Sequence, residues 1–455
     1  MYMLRMSSPP PDRRAFFTVK ILINFVDPTD ATTMAPDIAF SMCAHLSMHS
    51  PWRLRGSALP RPTGVDTEIN HAGAGGIWAE LVSNRGGCFV EGEWLRNAFR
   101  WRETIGPWEE RPGHYGDVWK YWTDDGLGYY EFLQLAEDLG AEPIWVFNAG
   151  ISHNDEVDTT TLAPFVEDVL NSIEFARGSS ESTWGSIRAA MGHSERFPLK
   201  YVAIGNEDCE KQLYQGNYLM FYNAIREAYP DIQIISNCDG SSKPLHHPAD
   251  LYDFHVYSNA TFIFLMKDKF TRTSRQGPKF TVLERKFLTD PTVTIVFVSE
   301  YAVNDATDAG NGSLLASLAE AAFLIGLEKN SDIVHMASYA PLFVNDNDRS
   351  WNPDAIVFNS WQQYGTPSYW MQTFFRESSG SVIHPVGIAS SYSSSLAASA
   401  ITWKDNEDMF LRIKVVPVRS GLPGAAEKMQ ALLVPYSLTS FDLALDQYGG
   451  LVAEM

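Results

Sequence analysis

Hydrophobic positions along this chain fall into short apolar runs separated by longer stretches with helical spacing. Seven runs read as strands: Gly76–Val82, Pro143–Asn148, Tyr201–Gly205, Ile232–Asn237, Asp253–Tyr257, Thr294–Ser299 and Ile333–Ser338. Between them lie amphipathic patterns over 126–139, 163–176, 217–228 and 313–328, the last with Ser313 placed as an N-cap. Strand–helix alternation of this kind implies right-handed βαβ units and a parallel sheet. Seven strands over this length predict an α/β fold, a (β/α)8 TIM barrel with one strand obscured. The rival, an open doubly wound sheet, would need a Gly-rich phosphate loop at a strand–helix turn, and neither common pattern occurs.

The texture differs at both ends. Residues 1–67 follow no clear period and are rich in proline, so they read as a poorly ordered segment foreign to the main fold. Residues 15–26 are apolar, but Lys20 interrupts them and no small-residue cleavage site follows, so a convincing secretory signal is absent. The barrel is expected over 68–375. Residues 376–455 begin Ser-, Gly- and Ala-rich and then alternate in Met409–Val416, Ala431–Val434 and Thr439–Leu443, as strands of a truncated β-sandwich do.

Composition narrows the function. The 455-residue chain carries a formal charge of −20, which disfavours a phosphate-backbone partner, so no nucleic acid is expected. The longest apolar run, 314–327, is too short to span a membrane and contains Glu320. Four cysteines, none in a C-x-x-C pair, suit neither a disulfide scaffold nor a structural zinc site. There is no G-x-S-x-G serine elbow.

Two strands end in glutamate: Tyr201-Val-Ala-Ile-Gly-Asn206-Glu207 and Val296-Phe-Val-Ser-Glu300. In a barrel, side chains at C-terminal strand ends face the catalytic loops. Two carboxylates there can divide the work of glycoside hydrolysis, one donating a proton to the leaving oxygen and one attacking or activating water. The bland alternative is two helix-capping or ion-paired glutamates. Asn206 can hydrogen-bond a sugar hydroxyl. His255 reads as a pocket histidine, since no second histidine stands at ligand spacing. Tyr257 either orients Glu300 or packs with its hydroxyl satisfied. Residues 89–128 hold five tryptophans among acidic residues, which suits neutral polyols or, alternatively, a self-packed loop.

The segments GIWAELVSNR (76–85), GGCFVEGEWLRNAFRW (86–101), YVAIGNEDC (201–209), DLYDFHVYS (250–258), FVSEYAV (297–303) and WNPDAIVFNSWQQYGTPSYWMQTFF (351–375) resemble plant-type α-L-arabinofuranosidases of glycoside hydrolase family 51. The resemblance covers roughly 68–445. It implies a (β/α)8 barrel with a β-sandwich, a retaining exo-glycosidase, and terminal α-L-arabinofuranosyl groups of arabinoxylan or arabinan as substrate. It implies Glu207 as general acid/base, Glu300 as nucleophile, and Asn206 binding the sugar 2-hydroxyl; an ionised Glu300 is expected to keep the Glu207 pKa raised before attack. Tyr257 is expected beside the nucleophile, Glu80 gripping arabinose, and Trp119 in the pocket wall. No metal or organic cofactor is implied. The location implied is extracellular or cell-wall, where the sequons at Asn259 and Asn311 would matter.

Three departures stand out. The family's long stretch between Arg85 and Gly87, which includes the second barrel strand, is absent here. Residues 280–296 have no family counterpart, and Lys414-Val-Val-Pro417 joins normally separate sandwich segments. A rival reading is therefore a catalytically incompetent splice variant that only binds sugar or misfolds. Another is a related β-xylosidase or endoglucanase.

Overall fold

A computed structural model describes residues 87–138, 141–242, 245–273, 275, 295–349, 351–352, 354–378, 381–389, 396–405, 408–417 and 439–445, with short strands at 2–3, 20–23, 37–38 and 77–79. Its centre is one eight-stranded, all-parallel sheet. The strands are β1 (Asp37–Ile38), β2 (Ile77–Ala79), β3 (Pro143–Phe147), β4 (Tyr201–Ile204), β5 (Gln233–Ser236), β6 (Leu251–Ser258), β7 (Ile295–Val303) and β8 (Val334–Ala337). Their spatial order is β1-β8-β7-β6-β5-β4-β3-β2. All seven expected strands are present, in sequence order around the curl. The eighth comes from within 1–67, where Asp37 and Ile38 pair with Met336 and Ala337. Among the described residues β1 and β2 terminate the ladder and do not pair with each other.

The sheet is curled around a small inner core. Ile144, Val146, Ala203, Ile235, Leu251, Phe297 and Met336 form one buried cluster, one or two residues from each of β3 to β8, and Val90 closes it from above. Neighbouring positions such as Val202, Ile204, Ile234 and Val298 belong instead to the clusters beneath the outer helices. This two-faced burial is what a barrel wall requires, and it accounts for the near-continuous apolar strands.

The outer helices form where the apolar spacing placed them: Tyr129–Asp138, Ala163–Arg177, Tyr214–Ala228 and Leu314–Glu328. Ser313 caps the last one, accepting from Ala316 N–H at 3.0 Å. A further helix, Thr183–Ala190, is capped by Ser182. Among the described residues no helix is long and apolar enough to cross a membrane.

After the barrel come β9 (Val382–His384), β10 (Leu396–Asp405), β11 (Asp408–Pro417) and β12 (Thr439–Leu445), an antiparallel sheet in the order β9-β10-β11-β12. Strand β10 falls where small residues mask the alternation: Ala397, Ala398, Ser399 and Ala400 all lie buried. The expected strand at 431–434 and the insertion at 280–294 lie outside the described residues. Lys414, fully buried, pairs with Glu328 at the end of the helix Leu314–Glu328, and Ser378 and Ser399 also bond that carboxylate. The joined segment at 414 thus anchors the sheet to the barrel.

Candidate active site

The C-terminal ends of β4, β6 and β7 bring Asn206, Glu207, His255, Tyr257 and Glu300 together. Strand β4 is followed by Gly205, whose φ is +77°; a Cβ there would meet Asp208 at 2.6 Å, so the tight turn requires glycine. Two residues on, Glu207 itself has φ +48°, a strained backbone for a non-glycine residue and a known mark of functional positions. The turn is tied to the end of β5 by a disulfide between Cys209 and Cys238 and by Asn237 donating to Asp208.

Strands β6 and β7 supply the other carboxylate. Leu251, Asp253, His255 and Tyr257 alternate along β6. On β7, Phe297 and Glu300 are three residues apart, so strict alternation would send them to opposite faces. A register shift intervenes: Asp253 pairs with Phe297, but His255 pairs with Glu300. The bulge turns Glu300 inward, a device found beside active sites.

Glu300 is 5% exposed. Tyr257 donates its hydroxyl to Glu300 Oε2 at 2.7 Å, and Gly87 N–H approaches Oε1 at 3.3 Å. His255 is held between carboxylates, with Nδ1 2.8 Å from Glu207 Oε1 and Nε2 2.9 Å from Asp253 Oδ2. Its Nδ1 also lies 3.6 Å from Glu300 Oε2. Oxygens of Glu207 and Glu300 lie within 4.8 Å of each other.

The electrostatics follow from this packing. Burial alone would push the His255 imidazolium pKa down, but the charges of Asp253 and Glu300 outweigh it and hold it well above the ordinary value. Glu207 is lowered, chiefly by its hydrogen bond with His255, against a smaller opposing effect of burial. Glu300 is raised, chiefly by burial, with the neighbouring charge of Glu207 adding to it against the pull of His255. The expected raised pKa of Glu207 is therefore not found in the resting site, because the histidine stabilises its ionised form.

Asn206, 2% exposed, donates to Glu91 Oε2 at 2.9 Å. Gly87 packs so closely on it that a Cβ at 87 would fall 1.8 Å from Asn206 Oδ1. Trp119 lies in the wall: its ring is 6.2 Å from Trp351, which stands 5.5 Å from Tyr257. Glu80 lies outside the described residues.

Several participants escaped the sequence reading. Asp253 was legible in the alternation Asp253-x-His255-x-Tyr257, but the bulge and Ser299, which donates to Asp253, were not. Cys88, Glu91 and His153 also converge, with potential ligand atoms within 4.8 Å of one another. Glu207, His255 and Glu300 converge to the same extent. There, however, both ring nitrogens of His255 face carboxylates, and the resulting imidazolium has no lone pair for a cation.

The chain matches the α-L-arabinofuranosidase 1 domain over residues 79–276 and the α-L-arabinofuranosidase C-terminal domain over 299–437. It is 60% identical over 391 residues to α-L-arabinofuranosidase 1 of Arabidopsis thaliana, covering 84% of this chain and 54% of that protein. It is 36% identical over 314 residues to a probable α-L-arabinofuranosidase A of Aspergillus flavus, covering 66% and 46%. It thus spans about half the length of these curated relatives. Among solved structures it resembles the arabinose-bound MgGH51 α-L-arabinofuranosidase, with a TM-score of 0.67, 25% identity, and coverage of 83% and 62%. The fold is shared with the Thermotoga maritima enzyme in its arabinose complex, with a TM-score of 0.62, 17% identity, and coverage of 94% and 96%.

Proposed function

We propose, for a chain that belongs to the plant-type α-L-arabinofuranosidases of glycoside hydrolase family 51, that it removes terminal α-L-arabinofuranosyl groups from arabinoxylan- or arabinan-type glycans with retention of configuration. The observation that carries this reading is that one carboxylate oxygen of Glu207 lies within 4.8 Å of one of Glu300, so the two can act on a single glycosidic bond. Retaining enzymes hold their carboxyl groups about 5–5.5 Å apart, whereas inverting ones leave about 6.5–9.5 Å for a water.

In the first step Glu300 attacks the anomeric carbon as protonated Glu207 donates to the glycosidic oxygen. The C–O bond breaks and a glycosyl ester to Glu300 forms. In the second, Glu207 takes a proton from water, the hydroxide equivalent attacks the anomeric carbon, and Glu300 leaves as carboxylate. The chemistry needs the proton on Glu207 and a bare Glu300, the reverse of the resting bias. His255, 2.8 Å from Glu207 and 3.6 Å from Glu300, is placed to carry that proton across. Tyr257 and the Gly87 N–H stabilise the bared nucleophile. Asn206 is assigned to the 2-hydroxyl, with Glu91 orienting its amide, and Glu80 to gripping the arabinose.

The substrate supplies the partner, an arabinose-containing polysaccharide or oligosaccharide. The proposed location is extracellular or cell-wall. The disulfide between Cys209 and Cys238 supports it, since such bonds persist in oxidising compartments.

The test is turnover of an aryl α-L-arabinofuranoside by the purified chain. Activity well above a Glu300→Ala variant is expected, with the first-formed arabinose retaining its anomeric configuration by NMR. Turnover equal to the variant overturns the reading, and an inverted product overturns the mechanism.

A further inference from the structure

The loop that carries Trp119 also presents two aromatic side chains to solvent. Residues His114–Gly116 and Tyr121–Thr123 form an antiparallel hairpin in which Tyr115 pairs directly with Trp122. Directly paired residues share a face, with Cβ atoms about 4.5–5.5 Å apart. The opposite face is turned inward: the His114 ring lies tilted against Phe89 at 5.0 Å, and a Cβ on Gly116 would meet the same phenyl ring at 3.6 Å. Alternation therefore points Tyr115 and Trp122 outward, where they are 45% and 60% exposed. Isolated exposed aromatics are ordinary, but a registered pair is a continuous apolar face that the fold leaves uncovered.

Its position gives it an occupant. The hairpin tip carries Trp119, whose ring meets Trp351 at 6.2 Å; Trp351 meets Tyr257 at 5.5 Å, and Tyr257 bonds Glu300. The exposed pair therefore stands on the same hairpin as Trp119, three and four residues along the chain from it. The segment following Trp351 presents a further exposed ring, Trp361, 78% exposed. Sugar rings offer flat C–H faces that stack on such aromatics. The net charge of −20, with Glu109, Glu110, Asp117 and Asp124 in the same stretch, disfavours a polyanion.

Resting on the proposed activity, we infer that Tyr115 and Trp122 form a docking platform for the main chain of a neutral polysaccharide whose arabinofuranosyl branch enters the pocket. An aryl arabinofuranoside, having no main chain, does not reach the platform.

The experiment compares kcat/KM for arabinoxylan and for an aryl α-L-arabinofuranoside in the full chain and in a Tyr115→Ala/Trp122→Ala variant. The arabinoxylan value is expected to fall about tenfold, with the aryl substrate changed less than about twofold. Equal effects on the two substrates, or none on either, overturn the platform. Should the double variant unfold, single Trp122→Ala, whose exposed indole leaves no cavity, is scored in the same way. If the unaltered chain turns over neither substrate, the activity itself is wrong. The platform is then judged by retardation in an arabinoxylan-containing native gel, which the double substitution should abolish and which, if unchanged, overturns it.

Discussion

Tyr257 donates its phenolic hydrogen to Glu300 Oε2 over 2.7 Å, joining two strands of the barrel at the carboxylate assigned as nucleophile. Hydrogen bonds to charged groups contribute about 1.5–3 kcal/mol. Tyr257→Phe should lower kcat by about 10- to 100-fold. The bond favours the ionised form of Glu300, so its loss raises that pKa and moves the acidic limb of the kcat/KM profile to higher pH. A profile that keeps its acidic limb in place would refute this role.

The second prediction concerns Asp253, which is buried behind His255. Its charge is a leading reason the imidazolium persists well above the ordinary histidine range. Replacing it by asparagine should let His255 lose its proton at lower pH. The alkaline limb of kcat/KM should then move toward acid, with KM little affected. NMR titration of the His255 ring offers a direct check on the same shift.

The disulfide between Cys209 and Cys238 spans 29 residues and clamps the turn that holds Glu207. Chain-entropy arguments put its contribution at about 3.6 kcal/mol. A Cys238→Ser variant should melt lower, and kcat should fall with it because Glu207 loses its brace. Reductant should reproduce both effects in the unaltered chain and neither in the variant.

Asp208, fully buried beneath Gly205, has its pKa pushed up to about 8 by burial. A carboxyl raised in the folded state binds a proton that the unfolded chain releases near pH 4, so stability falls as pH rises from about 4 to about 8. Asp208→Asn removes this dependence. The melting-temperature gap between variant and parent should move in the variant's favour across that window and level off above it. A gap independent of pH would count against the buried neutral acid.

Lys414 and Glu328 form a fully buried ion pair between β11 and the helix Leu314–Glu328. Lys414→Met should cost about 3–5 kcal/mol by stranding Glu328, whereas Lys414→Met with Glu328→Leu should cost much less. Denaturant midpoints for the two variants would measure the difference.

The two glutamates were visible in the chain because each follows an apolar run long enough for one barrel strand. The four long outer helices were visible from their apolar spacing, with an N-cap at Ser313 marking the start of one, whereas Thr183–Ala190 was not. Strand β10 was hidden, because alanine and serine carry too little contrast to show alternation. Strand β1 was hidden too, because a two-residue ladder has no period.

By itself, the order of residues determined the parallel strand–helix plan, the pair of strand-end carboxylates and the kind of partner its charge rejects. These follow from local periodicity and composition, which act over a few turns of chain. Only the tertiary structure decided that Glu300 faces inward, because a bulge between β6 and β7 reverses what alternation would give. It alone brought Asp253 behind His255 and Gly87 against Asn206, contacts across distant stretches of chain that close packing selects and no local pattern records.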